Sequence, residues 1–218
     1  MHGTALSVLE YLDGTNDPLE DPYNAAYGWL DESQFGNRSE VEKMFLRHFL
    51  DESGTPQTSD VVDFLNDVVN ARSHYESEMT AAMQLVSQLE FIGTINLTEI
   101  NASLEQSGGI WAFGIGQYTS WSDISVTGSL NADGSIHYSF IYTYNFWDPY
   151  DWNPNKGGGA WWDPFNSIAN GDRVAQILAR LHLMGHAQQF MMTGEASSDT
   201  VEWSNNENPP PPTLPSGG

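Results

Sequence analysis

The segment from Thr143 to Phe165, "TYNFWDPYDWNPNKGGGAWWDPF", sets Trp147, Trp152, Trp161 and Trp162 around Asp148, Asp151 and Asp163, with Lys156 as its one basic residue. In the step Asp148-Pro149-Tyr150-Asp151, the proline presets its own backbone angle and Asp148 can accept main-chain amides, which predicts a tight turn. Such a turn brings Asp148 and Asp151 to one side, with Tyr150 and Asn153 adding oxygen atoms. Oxygens gathered this way can hold a hard cation. They can also supply an acid and a base of different pKa, if the indole rings desolvate one carboxylate. In a hydrolytic assignment Asp151 is the general base or metal ligand, Asp148 its partner, Tyr150 the orienting hydroxyl, and His186 the acid or second ligand. Trp147, Trp152, Trp161 and Trp162, with Asn153, are the binding candidates, because exposed indole faces stack on flat apolar surfaces such as sugar rings. The same letters also fit aspartates that only cap turns and an aromatic sheet end that only closes a core.

His182 and His186 stand four apart in "RLHLMGHAQQF", so on one continuous helix they share a face and can chelate a metal. Two ligands are too few, and the Glu of a "HExxH" zinc site is absent. A further ligand has to come from Asp148, Asp151 or His137, and the candidate metal set is Asp148, Asp151 and His182. A divalent cation is the cofactor this donor set suggests, without naming which. Helical histidines that simply pack, half-buried, are the competing reading. "GxSxG", "SxxK" and Walker sequences are missing, and so is cysteine. Gly114 and Gly116 in "FGIGQ" lack the strand, glycine turn and helix series of a phosphate loop and read as a strand bend.

Twenty-nine Asp and Glu against seven Lys and Arg give a formal charge of −22, through a shortage of bases rather than an excess of acids. Between Arg72 and Lys156 there is no Lys or Arg, so no cationic strip exists there to displace counterions from a phosphate backbone. This argues against nucleic acid and anionic membranes as partners and favours a basic protein or a cation. No run approaches the roughly 18 apolar residues of a membrane span. The first residues, "MHGTALSVLEYLDG", carry no recognisable export signal.

The elements that must position these residues follow from periodicity. Residues 1–38, rich in Asp, Asn, Gly and Pro, read as an irregular arm. A helical part over 39–90 begins with a capping box at Ser39 and Glu42 and the stripe Val41, Phe45 and Phe49. It continues as one long amphipathic helix of about 45 Å, with Val61, Leu65, Val68, Tyr75, Met79, Ala82 and Val86 on its apolar face. Over 91–204, β-branched and aromatic runs between Gly, Asn and Asp turns predict an antiparallel sheet, with "NADG" at Asn131–Gly134 as a hairpin turn. A C-terminal helix led by Asn170 or Asp172 packs on that sheet, and one last strand runs through "MTGEASSDTVEW". The proline-rich tail over 205–218 reads as a disordered tether. The fold class is α+β.

The segment order resembles the variable C-terminal regions of bacterial polymorphic toxins and related secreted effectors. The pieces that carry the likeness are "FLRHFLDESGTP", "WAFGIGQYTSW", "DPYDWNP" and "LHLMGHAQQFMMTG", across most of residues 40–204. The resemblance implies an antagonistic effector, secreted or delivered from a bacterium and cytoplasmic before export, with a cognate neutralising (immunity) protein as partner. Asp148, Tyr150 and Asp151 also resemble part of the active loop of the colicin M family, phosphodiesterases of peptidoglycan precursors. The His-Arg pair that follows in that family is absent here, where Lys156 is the only nearby base, so that activity is not carried over. The alternative is a non-catalytic binding or structural module that presents an aromatic β surface to a glycan or a basic protein.

Overall fold

A computed structural model describes residues 40–108, 111, 115–150, 178 and 181–216. The arm over 1–38 and the Ser39 cap fall outside them. Helix α1 spans Glu40–Leu50 and buries Phe45 and Phe49 of the expected stripe, with Val41 half-buried and Leu46 and Leu50 buried beside them. At its C-terminal end His48 bonds to Thr55 O (Nε2, 2.8 Å) and pairs with Asp51 Oδ2 (Nδ1, 3.1 Å), tying the helix to the turn after it.

The long helix expected after Ser59 is instead two: α2, Val61–Asp67, and α3, Val69–Leu89. The break is Val68, which is extended at φ −106° and ψ 93°. Asn66, Asp67, Val68, Val69 and Asn70 are weak helix formers, because their side chains compete for the backbone or lose χ1 freedom. The break also leaves few backbone groups unpaired. The Val68 amide donates to Phe64 O at 2.9 Å, and its carbonyl accepts from Arg72 N at 3.0 Å. Asp60 caps α2 by accepting from the amides of Val62 (2.8 Å) and Asp63 (3.1 Å).

Six strands form an antiparallel-rich sheet: β1 Gln57–Thr58, β2 Gly93–Gln106, β3 Gln117–Leu130, β4 Ile136–Tyr150, β5 Phe190–Ser197 and β6 Val201–Ser204. Their order is β1-β5-β4-β3-β2, with β6 also pairing β4, and the β2–β3, β3–β4 and β4–β6 ladders are antiparallel. The architecture is α+β, as the patterning predicts. The "NADG" turn joins β3 to β4 in the register Leu130↔Ile136, closed by Asn131 N to Ser135 O at 2.8 Å, with Gly134 at φ 88°. The single last strand expected is two, β5 and β6, parted at Ser198–Thr200. Of the expected C-terminal helix, Leu178 and Leu181–Leu183 are described and helical.

The residues divide into two compact units. The first comprises Met1–Gln57, Ile110–Gly116 and Pro149–Met192, and its described core joins aromatic rings to aliphatic side chains such as Leu46, Leu178 and Leu181. Tyr150 stacks on Phe190 at 4.8 Å and meets Phe49 edge-on at 5.5 Å, while Phe45 meets Trp111 at 6.0 Å. The second comprises Thr58–Gly109, Gln117–Asp148 and Thr193–Gly218. There α2 and α3 pack on the inward face of β4: Phe64 lies 5.0 Å from Phe146, and Tyr75 lies 5.4 Å from Tyr142. The tail expected to be a loose tether is held in this unit. Tyr75 Oη donates to Thr213 O at 2.9 Å, Ser216 Oγ donates to Asp199 Oδ1 at 2.7 Å, and Pro215 is buried.

Candidate functional site

Along β4 the side chains alternate. Tyr138, Phe140, Tyr142, Tyr144, Phe146, Asp148 and Tyr150 are buried, while Trp147 and Pro149 are exposed. The turn expected from Asp148 onward therefore does not begin before Tyr150, because Asp148, Pro149 and Tyr150 are the extended end of the strand. Tyr150 gains its burial against Phe49 and Phe190 only if the alternation continues, and that outweighs a local turn preference. Pro149 is tolerated because it occupies an exposed position at the strand's last residues.

Asp148 is 6% exposed, and among the described residues it is the only carboxylate buried to this degree. Three residues before it on β4, Asn145 is also buried and donates to Asp123 Oδ2 at 3.0 Å. Asp123 Oδ1 in turn accepts the Glu99 amide at 2.8 Å, so this carboxylate ties three strands together. Trp147 lies on the opposite face of β4 from Asp148 and is 38% exposed. The remaining candidates of the loop, Asp151, Trp152, Asn153, Trp161 and Trp162, lie outside the described residues.

The shared helical face expected of His182 and His186 does not form. The helix ends at Leu183, and Gly185 takes the left-handed conformation at φ 79°. Its amide donates to His182 O at 3.1 Å and the His186 amide donates to Leu181 O at 2.9 Å, the paired bonds of a Schellman cap. His182 is inside the last helical turn and His186 is past the cap. His182 Nδ1 bonds to Ala187 O at 3.2 Å, and His186 Nδ1 lies 3.9 Å from Glu52 Oε1. Among the described residues no three His, Asp or Glu side chains converge as a metal site, and Asp151 of the expected set is not among them.

A polar cluster that no sequence motif announces lies between α3 and the β2–β3 ladder. Ser103 Oγ stands 3.3 Å from His74 Nε2, 2.8 Å from Glu105 Oε1 and 3.2 Å from Ser120 Oγ, and His74 Nδ1 is 3.8 Å from Glu105 Oε1. Serine, histidine and carboxylate invite comparison with a hydrolytic triad, but the proton count opposes it. Ser103 has one proton and donates it to Glu105, so His74 Nε2 must donate to Ser103 rather than receive its proton. The cluster serves as a polar seam fastening α3 to the sheet. Behind it the phenols of Tyr118, Tyr142 and Tyr144 are all raised above their ordinary pKa, chiefly by burial. No family model, curated protein or solved structure matches this chain.

Proposed function

We propose that the chain is a bacterial antagonistic effector, toxin-like and hydrolytic, with its site at the Asp148 end of β4. The observation that carries the reading is the burial of Asp148. Water stabilises a carboxylate so strongly that folding rarely withdraws one without a use, and buried acids concentrate at functional sites. Asp148 also lies where a rigid strand delivers the chain into the segment richest in Trp and Asp, which suits a site supported by a scaffold. In this reading Asp148 works with Asp151 on a substrate that the tryptophans hold, a divalent cation is the cofactor, and a cognate immunity protein is the partner. No helix among the described residues is long and apolar enough to cross a membrane.

The test is expression in a bacterial cytoplasm and, separately, in the periplasm. Growth arrest is expected in one compartment and is expected to be relieved by Asp148→Asn together with Asp151→Asn. Normal growth in both compartments, or arrest that the double variant leaves intact, overturns the proposal. The alternative, an exposed aromatic β surface for glycan stacking, has less support: five inward rings of β4, from Tyr138 to Phe146, are buried, and Trp147 is that strand's one exposed aromatic side chain.

A further inference from the structure

We infer that the outer edge of β2 is a strand-addition site for an extended, Lys- or Arg-bearing segment of a partner protein. β2 ends the strand order and has β3 as its only neighbouring strand among the described residues. It is 14 residues long and none of them is buried; Leu97 is 45% and Leu104 63% exposed. An edge of this length is a template for a further strand, and proteins blunt such edges with bulges, charged side chains, lysine above all, or proline. The β2 sequence, "GTINLTEINASLEQ", contains no lysine or proline, and its bulges are confined to its middle.

The backbone shows where a strand can add. Register shifts between Leu97 and Ile100 and between Ile100 and Ser103, with Glu99 and Asn101 left-handed at φ 54° and 53°, interrupt the middle of β2. The regular runs Gly93–Leu97 and Ser103–Gln106 remain on either side, each able to offer main-chain groups to a partner.

Charge selects the occupant. The second compact unit, which contains β2, carries fifteen Asp and Glu against one arginine, a formal charge of −14. That arginine, Arg72, is paired with Glu76 at 2.9 Å. A second copy of the chain would set two units of the same strong negative charge edge to edge, so self-pairing is disfavoured. A basic strand meets the opposite situation. Main-chain bonds supply its affinity, Leu97 and Leu104 offer apolar contact, and its cations meet the unit's net negative charge, with Glu99 exposed between the two runs. This inference does not depend on the hydrolytic reading and stands or falls separately from growth arrest.

Hydrogen exchange on the full chain, followed by mass spectrometry, tests it with three short peptides: alternating Lys/Val, alternating Glu/Val, and Lys/Gly of the same charge as the first. The Lys/Val peptide is expected to slow exchange across residues 93–106 by about tenfold, an effect that fades near 0.5 M salt as the charges are screened. Glu/Val and Lys/Gly are expected to leave these amides unchanged. Glu99→Lys with Leu104→Lys, confirmed folded by circular dichroism, should weaken Lys/Val binding by about tenfold. Absence of protection, protection confined to other segments, or equal protection by Lys/Gly overturns the inference. So does protection of 93–106 that grows with protein concentration without peptide, which would assign the edge to a second copy.

Discussion

A buried carboxylate and a crowded glycine are the two residues whose replacement says most about this chain. At Asp148, catalytic and structural roles predict different outcomes. If the side chain moves a proton, Asp148→Asn should slow the reaction by about a hundredfold or more while the folded state persists. If it only completes the core, the loss of activity should track a loss of stability. Measuring growth arrest beside the thermal midpoint separates the two, and a midpoint near that of the parent with arrest abolished is the expected result. At Gly194, on β5, an added methyl would fall within contact distance of the Phe146 ring and 2.7 Å from Val61 Cγ2. Both neighbours belong to a packed core, where Phe146 is fully buried and Val61 nearly so. Gly194→Ala should therefore destabilise by about 1–3 kcal/mol in urea unfolding, the usual range for overpacking.

At the scale of elements, the helix that ends at Leu183 depends on Gly185. An alanine there keeps both cap bonds only at φ 79°, where a Cβ crowds the backbone, so Gly185→Ala should cost about 1 kcal/mol. Gly185→Asn should cost less, because asparagine tolerates the left-handed region; equal losses in the two variants would mean that the cap is not the cause. This glycine was readable in "HLMGHA" as a helix end, yet the i, i+4 spacing of two histidines suggested a continuous face. Hairpin and helix faces were legible for a related reason: "NADG" needs no tertiary help to turn, and the Tyr75, Met79, Ala82, Val86 stripe repeats without interruption through α3. The break at Val68 was hidden because the apolar spacing passes through it unchanged, and only the weak propensity of its neighbours marked the spot. At Asp148-Pro149-Tyr150 a local turn signal lost to the burial of a ring several strands away in sequence. The His74, Ser103 and Glu105 seam was not legible, because it joins a helix to a strand roughly thirty residues on and no motif spans that gap.

Across the whole molecule, tyrosine burial and acidity act together at high pH. Tyr75, Tyr118, Tyr138, Tyr142 and Tyr144 all have phenol pKa values raised, first by burial, and for Tyr75 also by Tyr142, Asp199 and Glu76 nearby. In the unfolded chain these phenols titrate near 10. Below that value both states keep their protons and the buried rings contribute their full stability. Above it the unfolded chain binds fewer protons than the folded one, so stability falls as pH rises toward the raised folded values. Each phenolate formed on unfolding also adds to a charge of −22, which at low salt the expanded chain accommodates better than a compact one. The urea midpoint is therefore expected to hold steady from neutral pH to about 9 and to drop steeply beyond about 10. The phenolate absorbance of Tyr75, Tyr118, Tyr138, Tyr142 and Tyr144 should rise only as the fold is lost. That rise should coincide with the loss of near-ultraviolet circular dichroism. A single smooth titration of all nine tyrosines near pH 10, with the dichroism unchanged, would mean that these rings are reached by water and that the tyrosine core does not close as described.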